Sequence, residues 1–363
     1  MNTTQAKAAI ESILNGEAQR KADADQTAEW RDHLEKAIKS PSGLAGVTVP
    51  PREAIVGNWF RQGDLGFICG ERGSGKTWLG LFLARKCAEG AGLGGLAEWN
   101  IHAPRRVLYV DGEMPIDGIR ERDTALSTGT APGMFYLQHE ALFHLTGKAL
   151  NLTDPIAQTA VLEKCKRDKI DIVFLDNQSC LFVGMRENDA DAWDLVLPWL
   201  LEMRRNRIAV VFIVHAGRNG AMRGSSRRED SAFWIMSLAE PRDPVENQHG
   251  AKFVTRFIKN RNATEAETPA LEWTFFKPPG DPKAHVSWKK LSAGQLFRDC
   301  IEKGLGRATD IAQEMGITPG RVSQLAGKAI KEGWLKKSGR TYSIKPPAHW
   351  TKPPSEPELT KTE

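Results

Sequence analysis

The chain has 363 residues, of which 40% are hydrophobic and 26% charged, a length that suits a core domain together with a smaller one. Its apolar runs fall well short of the ~20 residues that cross a bilayer, and its first residues lack a signal pattern, so we expect a cytoplasmic protein without membrane contact. Five scattered cysteines without CxxC pairs favour reduced thiols over disulfides or a metal site.

The net charge of +5 is concentrated late in the chain. Residues 293–345 contain ten Lys/Arg and five Asp/Glu, so this segment carries the whole excess and the other residues sum to zero. Such a basic segment is typical of nucleic-acid binding, although a solvated basic face has the same composition.

The first 50 residues are polar and charged, with helical spacing of apolar residues at positions 8–14 and 30–38. We predict a helical, loosely attached arm over residues 1–50 that serves contacts between subunits. Residues 41–51, which contain Pro and Gly, are predicted to be the linker that ends this arm.

Residues 70–77, Gly-Glu-Arg-Gly-Ser-Gly-Lys-Thr, match the phosphate-binding (P-loop) pattern GxxxxGK[ST]. The motif lies between an apolar strand at 65–69 and a helical stretch at 76–87, which is the context it requires. Its glycines let backbone N–H groups converge on phosphate oxygens at a helix N-terminus. The predicted nucleotide-binding residues are Gly70, Glu71, Arg72, Gly73, Ser74, Gly75, Lys76, Thr77 and Trp78.

Two residues are expected to serve the Mg²⁺ that accompanies ATP. Thr77 offers a hydroxyl ligand, and Asp176, at the end of an apolar strand, offers a carboxylate for the water shell of the metal. Lys76 is expected to reach the β- and γ-phosphates. A chance Gly-rich turn and a helix-capping Asp176 are the alternatives, and the loop alone is shared by kinases, GTPases, transporters and motors.

Between residues 51 and 277 apolar strands alternate with amphipathic helices, which predicts an α/β domain with a mostly parallel sheet covered by helices. The predicted core strands are residues 66–69, 107–111, 172–176 and 209–214. Two later β-like runs, residues 252–258 and 271–275, are predicted to form an antiparallel hairpin on the edge of the sheet.

The residue after Asp176 is Asn177, whereas in the AAA+ branch of these ATPases a glutamate at that place polarises the attacking water. The base must therefore lie elsewhere. Glu113 is the candidate, because it follows the next strand after the phosphate loop. A polar strand-end residue without a catalytic role is the alternative.

At this point the chain resembles the RecA-like hexameric helicases, both the DnaB-like replicative group and the RepA-type plasmid helicases, over roughly residues 55–275. The resemblance rests on Glu113-Met114-Pro115, on the strand that ends in His215, on the Gly-Ser-containing segment 223–230 and on Lys259-Asn260-Arg261. It implies a RecA-like P-loop ATPase domain at residues 51–277.

The resemblance also implies roles for these residues. Glu113 would be the catalytic base and His215 the γ-phosphate sensor, while Lys259 and Arg261 would reach the nucleotide of the neighbouring subunit. An arginine suits that task because its planar, permanently charged fork stabilises charge on a γ-phosphate. A hydrogen-bonded strand-end histidine and a solvated charge pair are the alternatives. The active site would be shared between subunits, most simply in a homo-hexamer.

The segment 217–228 is Gly-rich and basic and is similar to the second channel loop of that family. A flexible basic loop can follow phosphates without reading sequence, although incidental surface arginines have the same pattern. Residues 181–188 are the candidate for the first channel loop. The predicted channel residues that bind single-stranded DNA are Arg218, Arg223, Arg227 and Arg228.

Residues 292–346 are predicted to form a small winged helix-turn-helix domain after a linker at residues 278–291. Three helices, at about 293–303, 308–315 and 319–332, are followed by two short β-runs, 334–337 and 342–345, around a wing. Residues 347–363 hold too few apolar residues to fold and are predicted to be disordered.

Thr318 and Pro319 are a good N-cap and first-turn pair for the third helix of this domain. The predicted duplex-DNA contacts, to base edges or phosphates, are Arg321, Ser323, Gln324, Lys328, Lys336, Lys337 and Arg340. Winged helices also dock proteins, which remains the alternative.

Taken together, the motifs predict an ATP-dependent DNA helicase or translocase, with ATP and Mg²⁺ as cofactors, that replicates plasmid, phage or mobile-element DNA. Two alternatives stay open. One is an ATP-regulated DNA-binding protein without unwinding activity, and the other is a RecA- or RadA-like recombination ATPase that forms filaments.

Overall fold

The computed structural model describes residues 3–185, 193–216, 226–241, 250–315 and 317–345, without the side chains of residues 3–18, 22, 226 and 227. The chain divides into two compact units between Pro51 and Arg52. Among the helices described, none combines the length and the apolarity needed to cross a bilayer.

The first unit contains helix α1 (Thr3–Ala37), which lies within the residues predicted to form the arm, and a short helix α2 (Pro41–Ala45). Helix α2 corrects the prediction of a linker over residues 41–51. The Ser40 side chain caps this helix by accepting a hydrogen bond from the Gly43 N–H at 3.2 Å, and Pro41 suits its first turn.

The second unit is built on strands that form one large sheet and two small antiparallel pairs within the described residues. The strands are, in chain order, β1 (Ala54–Val56), β2 (Phe60–Arg61), β3 (Leu65–Gly70), β4 (Val107–Asp111), β5 (Met134–Gln138), β6 (Ile172–Asp176), β7 (Ala209–His215), β8 (Trp234–Ala239), β9 (Gly250–Asn260), β10 (Ala270–Phe276), β11 (His285–Leu291), β12 (Leu335–Ser338) and β13 (Thr341–Ile344). The large sheet has the order β11-β10-β9-β8-β3-β7-β6-β4-β5.

Helices cover both faces of the large sheet, where adjacent residues of β3 point to different cores: Phe67 faces one apolar cluster and Ile68 the other. The described helices of this unit are α3 (Lys76–Glu89), α4 (Ile116–Leu126), α5 (His139–Thr146), α6 (Pro155–Arg167), α7 (Gln178–Leu181), α8 (Leu197–Arg205), α9 (Ser226–Ser231), α10 (Ala293–Glu302), α11 (Ala308–Met315) and α12 (Pro319–Lys331).

The large sheet is mostly parallel, as predicted. Strands β3 to β8 run parallel to their neighbours in that group, and β9, β10 and β11 are antiparallel. The four predicted core strands correspond to β3, β4, β6 and β7. Strands β5 and β8 had not been predicted.

The antiparallel pairing of β9 with β10 is confirmed, but this hairpin does not form the edge of the sheet, because β11 lies outside it. Strand β11 also corrects the prediction of a linker over residues 278–291. Trp288 of β11 lies opposite Trp273 of β10 with ring centroids 5.9 Å apart, and Lys289 pairs with Glu272 at 2.9 Å. Val286 and Trp288 alternate with polar residues, so this segment fits the edge of the sheet.

The last part of the unit consists of helices α10, α11 and α12 and the antiparallel pair β12–β13, with a core of its own that includes Phe297, Ile311, Val322 and Tyr342. The three helices and two β-runs predicted for residues 293–345 are thus present. Arg256 of β9 donates a hydrogen bond to the Glu314 carbonyl oxygen at 3.1 Å, which joins this part to the sheet.

Candidate functional site

The carboxyl ends of the parallel strands meet at one edge of the sheet, here called the carboxyl edge. In the register of the sheet, Gly70 lies level with His215, and Asp111 lies level with Asp176. The predicted residues that follow β3, β4, β6 and β7 are therefore brought together, as crevice sites in parallel sheets require.

The phosphate loop leaves β3 and enters α3 through Gly73 and Gly75, which have φ angles of 75° and 90°. Only glycine adopts such angles readily. A Cβ at Gly75 would also lie 2.6 Å from the ring of Phe253, so the loop is packed closely against β9. The sequence therefore needs glycine here for both conformation and space.

Lys76 is buried, with 7% of its surface exposed, and its ammonium group donates to the carbonyl oxygens of Gly70 at 3.0 Å and Glu71 at 2.6 Å. Burial lowers the pKa of Lys76, while the carboxylates of Asp176 and Glu113 oppose that shift. The side chain thus places positive charge inside the curve of the loop, where phosphate oxygens would be bound.

Ser74 supports the same assignment. Its Oγ atom is buried and finds no hydrogen-bond partner among the described residues. A buried polar atom without a partner is costly, and a phosphate oxygen would satisfy it. Trp78, which is also predicted to bind nucleotide, lies in the first turn of α3 and contacts side chains of its own fold. The Arg122 guanidinium stands 5.2 Å from the centroid of its ring, and the Phe275 ring centroid lies 6.0 Å away.

Asp176 is 2% exposed and accepts a hydrogen bond from the Tyr109 hydroxyl at 2.7 Å, with the Thr77 side chain beside it. Burial raises the pKa of Asp176, and the neighbouring hydroxyl groups of Tyr109 and Thr77 act in the opposite direction. A hydroxyl beside a carboxylate offers the hard oxygen ligands that Mg²⁺ prefers. The described residues contain no cluster of three His, Cys, Asp or Glu side chains that would hold a metal by itself. Thr77 and Asp176 therefore fit an Mg²⁺ that keeps waters and phosphates as its other ligands.

Glu113 follows β4 at the same edge, and its side chain is exposed. The Asn177 amide nitrogen donates a short hydrogen bond to Glu113 Oε2. His215 ends β7 beside the start of the loop, where the Ala216 N–H donates to the Gly70 carbonyl at 2.9 Å. The structure thus brings Lys76, Glu113, Asp176 and His215 to one edge.

Lys259 and Arg261 lie at the other end of the strands. Arg261 donates its backbone N–H to Phe233, and Phe233 donates its own to Leu65 at the start of β3, both at 2.8 Å. Leu65 and Gly70 are five residues apart, which corresponds to about 16 Å along an extended strand. The structure therefore does not bring Arg261 to the phosphate loop of its own subunit.

Cationic groups crowd this opposite edge around the ring of Phe233. The guanidinium groups of Arg52, Arg204 and Arg261 stand 4.5, 4.7 and 5.9 Å from its centroid. Burial together with these like charges lowers the pKa of Arg204. The buried Asp64 carboxylate pairs with Arg52 at 2.7 Å and offsets part of this crowding.

Lys259 and Arg261 are held by the last turn of α9. Lys259 donates a short hydrogen bond to the Glu229 carbonyl, and Arg261 donates to the Asp230 carbonyl at 2.7 Å. Burial and the neighbouring Arg261 lower the pKa of Lys259. The two cations are thus positioned together, with Arg261 exposed.

The structure describes the side chain of one of the four predicted channel residues, Arg228. Arg218 and Arg223 lie outside the described residues, as does the side chain of Arg227. Arg228 corrects the prediction, because it is 1% exposed, donates to Gln178 Oε1 at 3.3 Å and stands 5.4 Å from the Trp193 ring. An arginine enclosed in this way supports the fold and does not face DNA.

The seven residues predicted to contact duplex DNA are all exposed on α12 and the β12–β13 pair. Thr318 caps α12 as predicted, by accepting a hydrogen bond from the Arg321 N–H at 3.3 Å. Lys336 and Lys337 lie on β12, and Arg340 lies in the turn that follows. Their exposure leaves them accessible to a partner.

Sequence reasoning missed Tyr109, Asn177 and Gln138, which support the carboxylates of the site. Tyr109 precedes Asp111 by two residues on β4, so the sequence placed it inside a strand without showing its partner. Asn177, a polar residue directly after the strand-end Asp176, was the visible signal in the sequence.

A phosphate loop at the carboxyl edge of a mostly parallel sheet, with a buried strand-end aspartate beside its threonine, defines a nucleotide-hydrolysing P-loop ATPase. A family model described as an AAA domain matches residues 19–221, more than half of the chain. The chain belongs to this family, a P-loop ATPase family related to the RecA- and DnaB-like helicases. A search of curated proteins finds no match.

Proposed function

We propose that this ATPase is a DNA helicase or translocase that works as a ring of identical subunits, most simply a hexamer, in the replication of plasmid, phage or mobile-element DNA. The observation that carries the proposal is the position of Lys259 and Arg261 at the edge opposite the phosphate loop. Cations so far from their own nucleotide site suit the site of a neighbouring subunit, and a head-to-tail contact of this kind closes into a ring or extends as a filament.

In the proposed site, Lys76 binds the β- and γ-phosphates, and Thr77 and Asp176 hold Mg²⁺, which neutralises charge on the phosphates when bound. Glu113 accepts a proton from the attacking water, as a general base within hydrogen-bond reach does. His215, beside Gly70, senses the γ-phosphate. Arg261 of the next subunit stabilises charge on the transferred group.

DNA is proposed to contact two parts of the chain. The Gly-rich basic segment 217–225, which follows β7 in sequence, is the candidate contact for a single strand in the channel. The three helices and the β12–β13 pair are proposed to be a winged-helix domain for duplex DNA, supported by their exposed basic residues and by the local charge excess.

Strand displacement on duplexes with 5′ or 3′ single-stranded tails tests the proposal. Wild-type protein should displace one strand with ATP, and Glu113→Gln should bind DNA and nucleotide but displace nothing. ATP hydrolysis stimulated by single-stranded DNA without displacement on either substrate would contradict a helicase. In that case, filaments in electron micrographs would favour a recombination ATPase, and nucleotide-dependent duplex binding would favour a regulator.

A further inference from the structure

Asn177 joins the end of the buried strand β6 to the side chain of Glu113. Its amide nitrogen donates a hydrogen bond to Glu113 Oε2, and Asn177 itself is 2% exposed. We propose that Asn177 is a positioning residue that aligns the Glu113 carboxylate for general-base catalysis. The inference rests on the proposed role of Glu113, but it does not depend on DNA unwinding.

The orientation of Asn177 is fixed by its other bonds. Its side-chain oxygen accepts hydrogen bonds from the Ser179 hydroxyl at 2.8 Å and from the Cys180 N–H at 3.2 Å, as the N-cap of α7. Because the oxygen faces the helix, the amide nitrogen faces the opposite way and meets Glu113. A side chain buried and bonded at both ends is well suited to hold a partner still.

The backbone that carries Glu113 is also held. The Asp111 carboxylate accepts a hydrogen bond from the Met114 N–H at 3.2 Å, and Gln138 donates to the Met114 carbonyl at 2.7 Å. His139 also contacts that carbonyl, at 3.1 Å. With the main chain fixed after β4, the freedom that remains to exposed Glu113 is rotation of its own side chain. The bond from Asn177 restricts that rotation.

The restrained carboxylate lies where a base is needed. Glu113 shares the carboxyl edge with Lys76 and Asp176, since its charge opposes the lowering of the Lys76 pKa by burial and adds to the raising of the Asp176 pKa. With Oε2 engaged by Asn177, Oε1 remains for a water molecule. Where the AAA+ branch supplies the carboxylate from the position after the strand-end aspartate, this chain uses that position to hold a carboxylate from the adjacent strand.

Two substitutions test the role of Asn177. Asn177→Ser keeps an oxygen that can cap α7 but is too short to reach Glu113, and Asn177→Asp keeps the size and the cap but loses the donor. We expect kcat for ATP hydrolysis to fall about tenfold in Asn177→Ser, since misalignment of a base costs rate and not binding. The loss should be larger in Asn177→Asp, whose charge repels Glu113. KM and the affinity for an ATP analogue should stay at wild-type values.

A double-mutant cycle separates positioning from support of the fold. In a Glu113→Gln background, Asn177→Ser should change the residual turnover by less than about twofold, because the group that it aligns no longer acts as a base. Independent, multiplicative losses, a rise in KM that matches the fall in kcat, or wild-type kcat in both single variants would overturn the inference. If the cycle behaves as expected and no strand displacement occurs, only the helicase proposal fails.

Discussion

The two edges of the central sheet differ in how their charged groups are satisfied. At the carboxyl edge, Tyr109 and Asn177 donate hydrogen bonds to Asp176 and Glu113 in a partly buried network. At the opposite edge, cations crowd one aromatic ring and donate to main-chain carbonyls. The carboxyl edge thus places Asp111, Asp176 and Glu113 near Lys76 and Arg122. The opposite edge places three arginines around Phe233, one of which pairs with the buried Asp64 at 2.7 Å. In the proposed ring, the carboxyl edge of one subunit would meet the opposite edge of the next, so that each subunit would carry half of each of two sites.

Removal of the Lys76 cation from the carboxyl edge should have the largest effect on ATP turnover. Lys76→Ala should lower ATP turnover by about 10³-fold, since it removes the charge that faces the phosphates. Phosphate release and titration with a fluorescent ATP analogue would measure turnover and binding. Lys148→Ala, at an exposed position in the segment after α5, is the matched control. Turnover within threefold of wild type in Lys76→Ala would show that the loop is not the catalytic site.

The support of Asp176 by Tyr109 should matter less. Tyr109→Phe removes one donor to a buried carboxylate, a loss of about 1–3 kcal/mol, so turnover should fall about tenfold with a higher Mg²⁺ requirement. The matched control is Tyr136→Phe, because that hydroxyl donates to Asp123 at 2.6 Å, away from the metal residues. Equal losses of ATP turnover in the two variants at saturating Mg²⁺ would show that the Tyr109 hydroxyl does not act through the metal-binding residues.

The smallest effect concerns stability at the carboxyl edge. Burial and the charge of Asp176 raise the pKa of Asp111 to about 6, above the value in an unfolded chain. The ionised Asp111 therefore destabilises the folded state above pH 6, and the penalty disappears below about pH 4, where both states are protonated. Asp111→Asn should increase the free energy of unfolding at pH 8 by about 1–3 kcal/mol and have little effect at pH 4.

Denaturant unfolding of wild type and Asp111→Asn at both pH values would measure this difference. An equal gain at pH 4 and pH 8 would assign it to packing, and a loss at pH 8 would mean that the Asp111 charge stabilises the edge. Wild-type protein provides the reference at each pH.

Much of the carboxyl edge was predictable, because phosphate loops and strand-end acids leave local patterns of fixed spacing. The four central strands were predictable for the same reason, since buried parallel strands are continuous apolar runs. Strand β11 was not, because its short run, with Val286 and Trp288 between polar residues, follows a Pro-rich segment that indicates a linker. The burial of Arg228 was also hidden, since its basic sequence context is that of a surface loop and its enclosure depends on Trp193 and Gln178, which are distant in sequence.

The separation of Arg261 from Lys76 could be expected only through the family resemblance. Its physical basis is the antiparallel direction of β9, which returns the chain to the starting end of β3. No local pattern around Lys259-Asn260-Arg261 encodes that direction. The bond from Asn177 to Glu113 likewise joins the ends of two adjacent strands and leaves no periodic signal.

Mixing two inactive variants tests the shared site most directly. Lys76→Ala and Arg261→Ala should each hydrolyse ATP at a small fraction of the wild-type rate, the second with nucleotide binding nearly intact. An equal mixture, dissociated and reassembled, should regain about a quarter of wild-type turnover, because random assembly joins an intact Lys76 to an intact Arg261 at that share of interfaces. A mixture as inactive as its parents, or Arg261→Ala with wild-type turnover, would contradict a site divided between subunits.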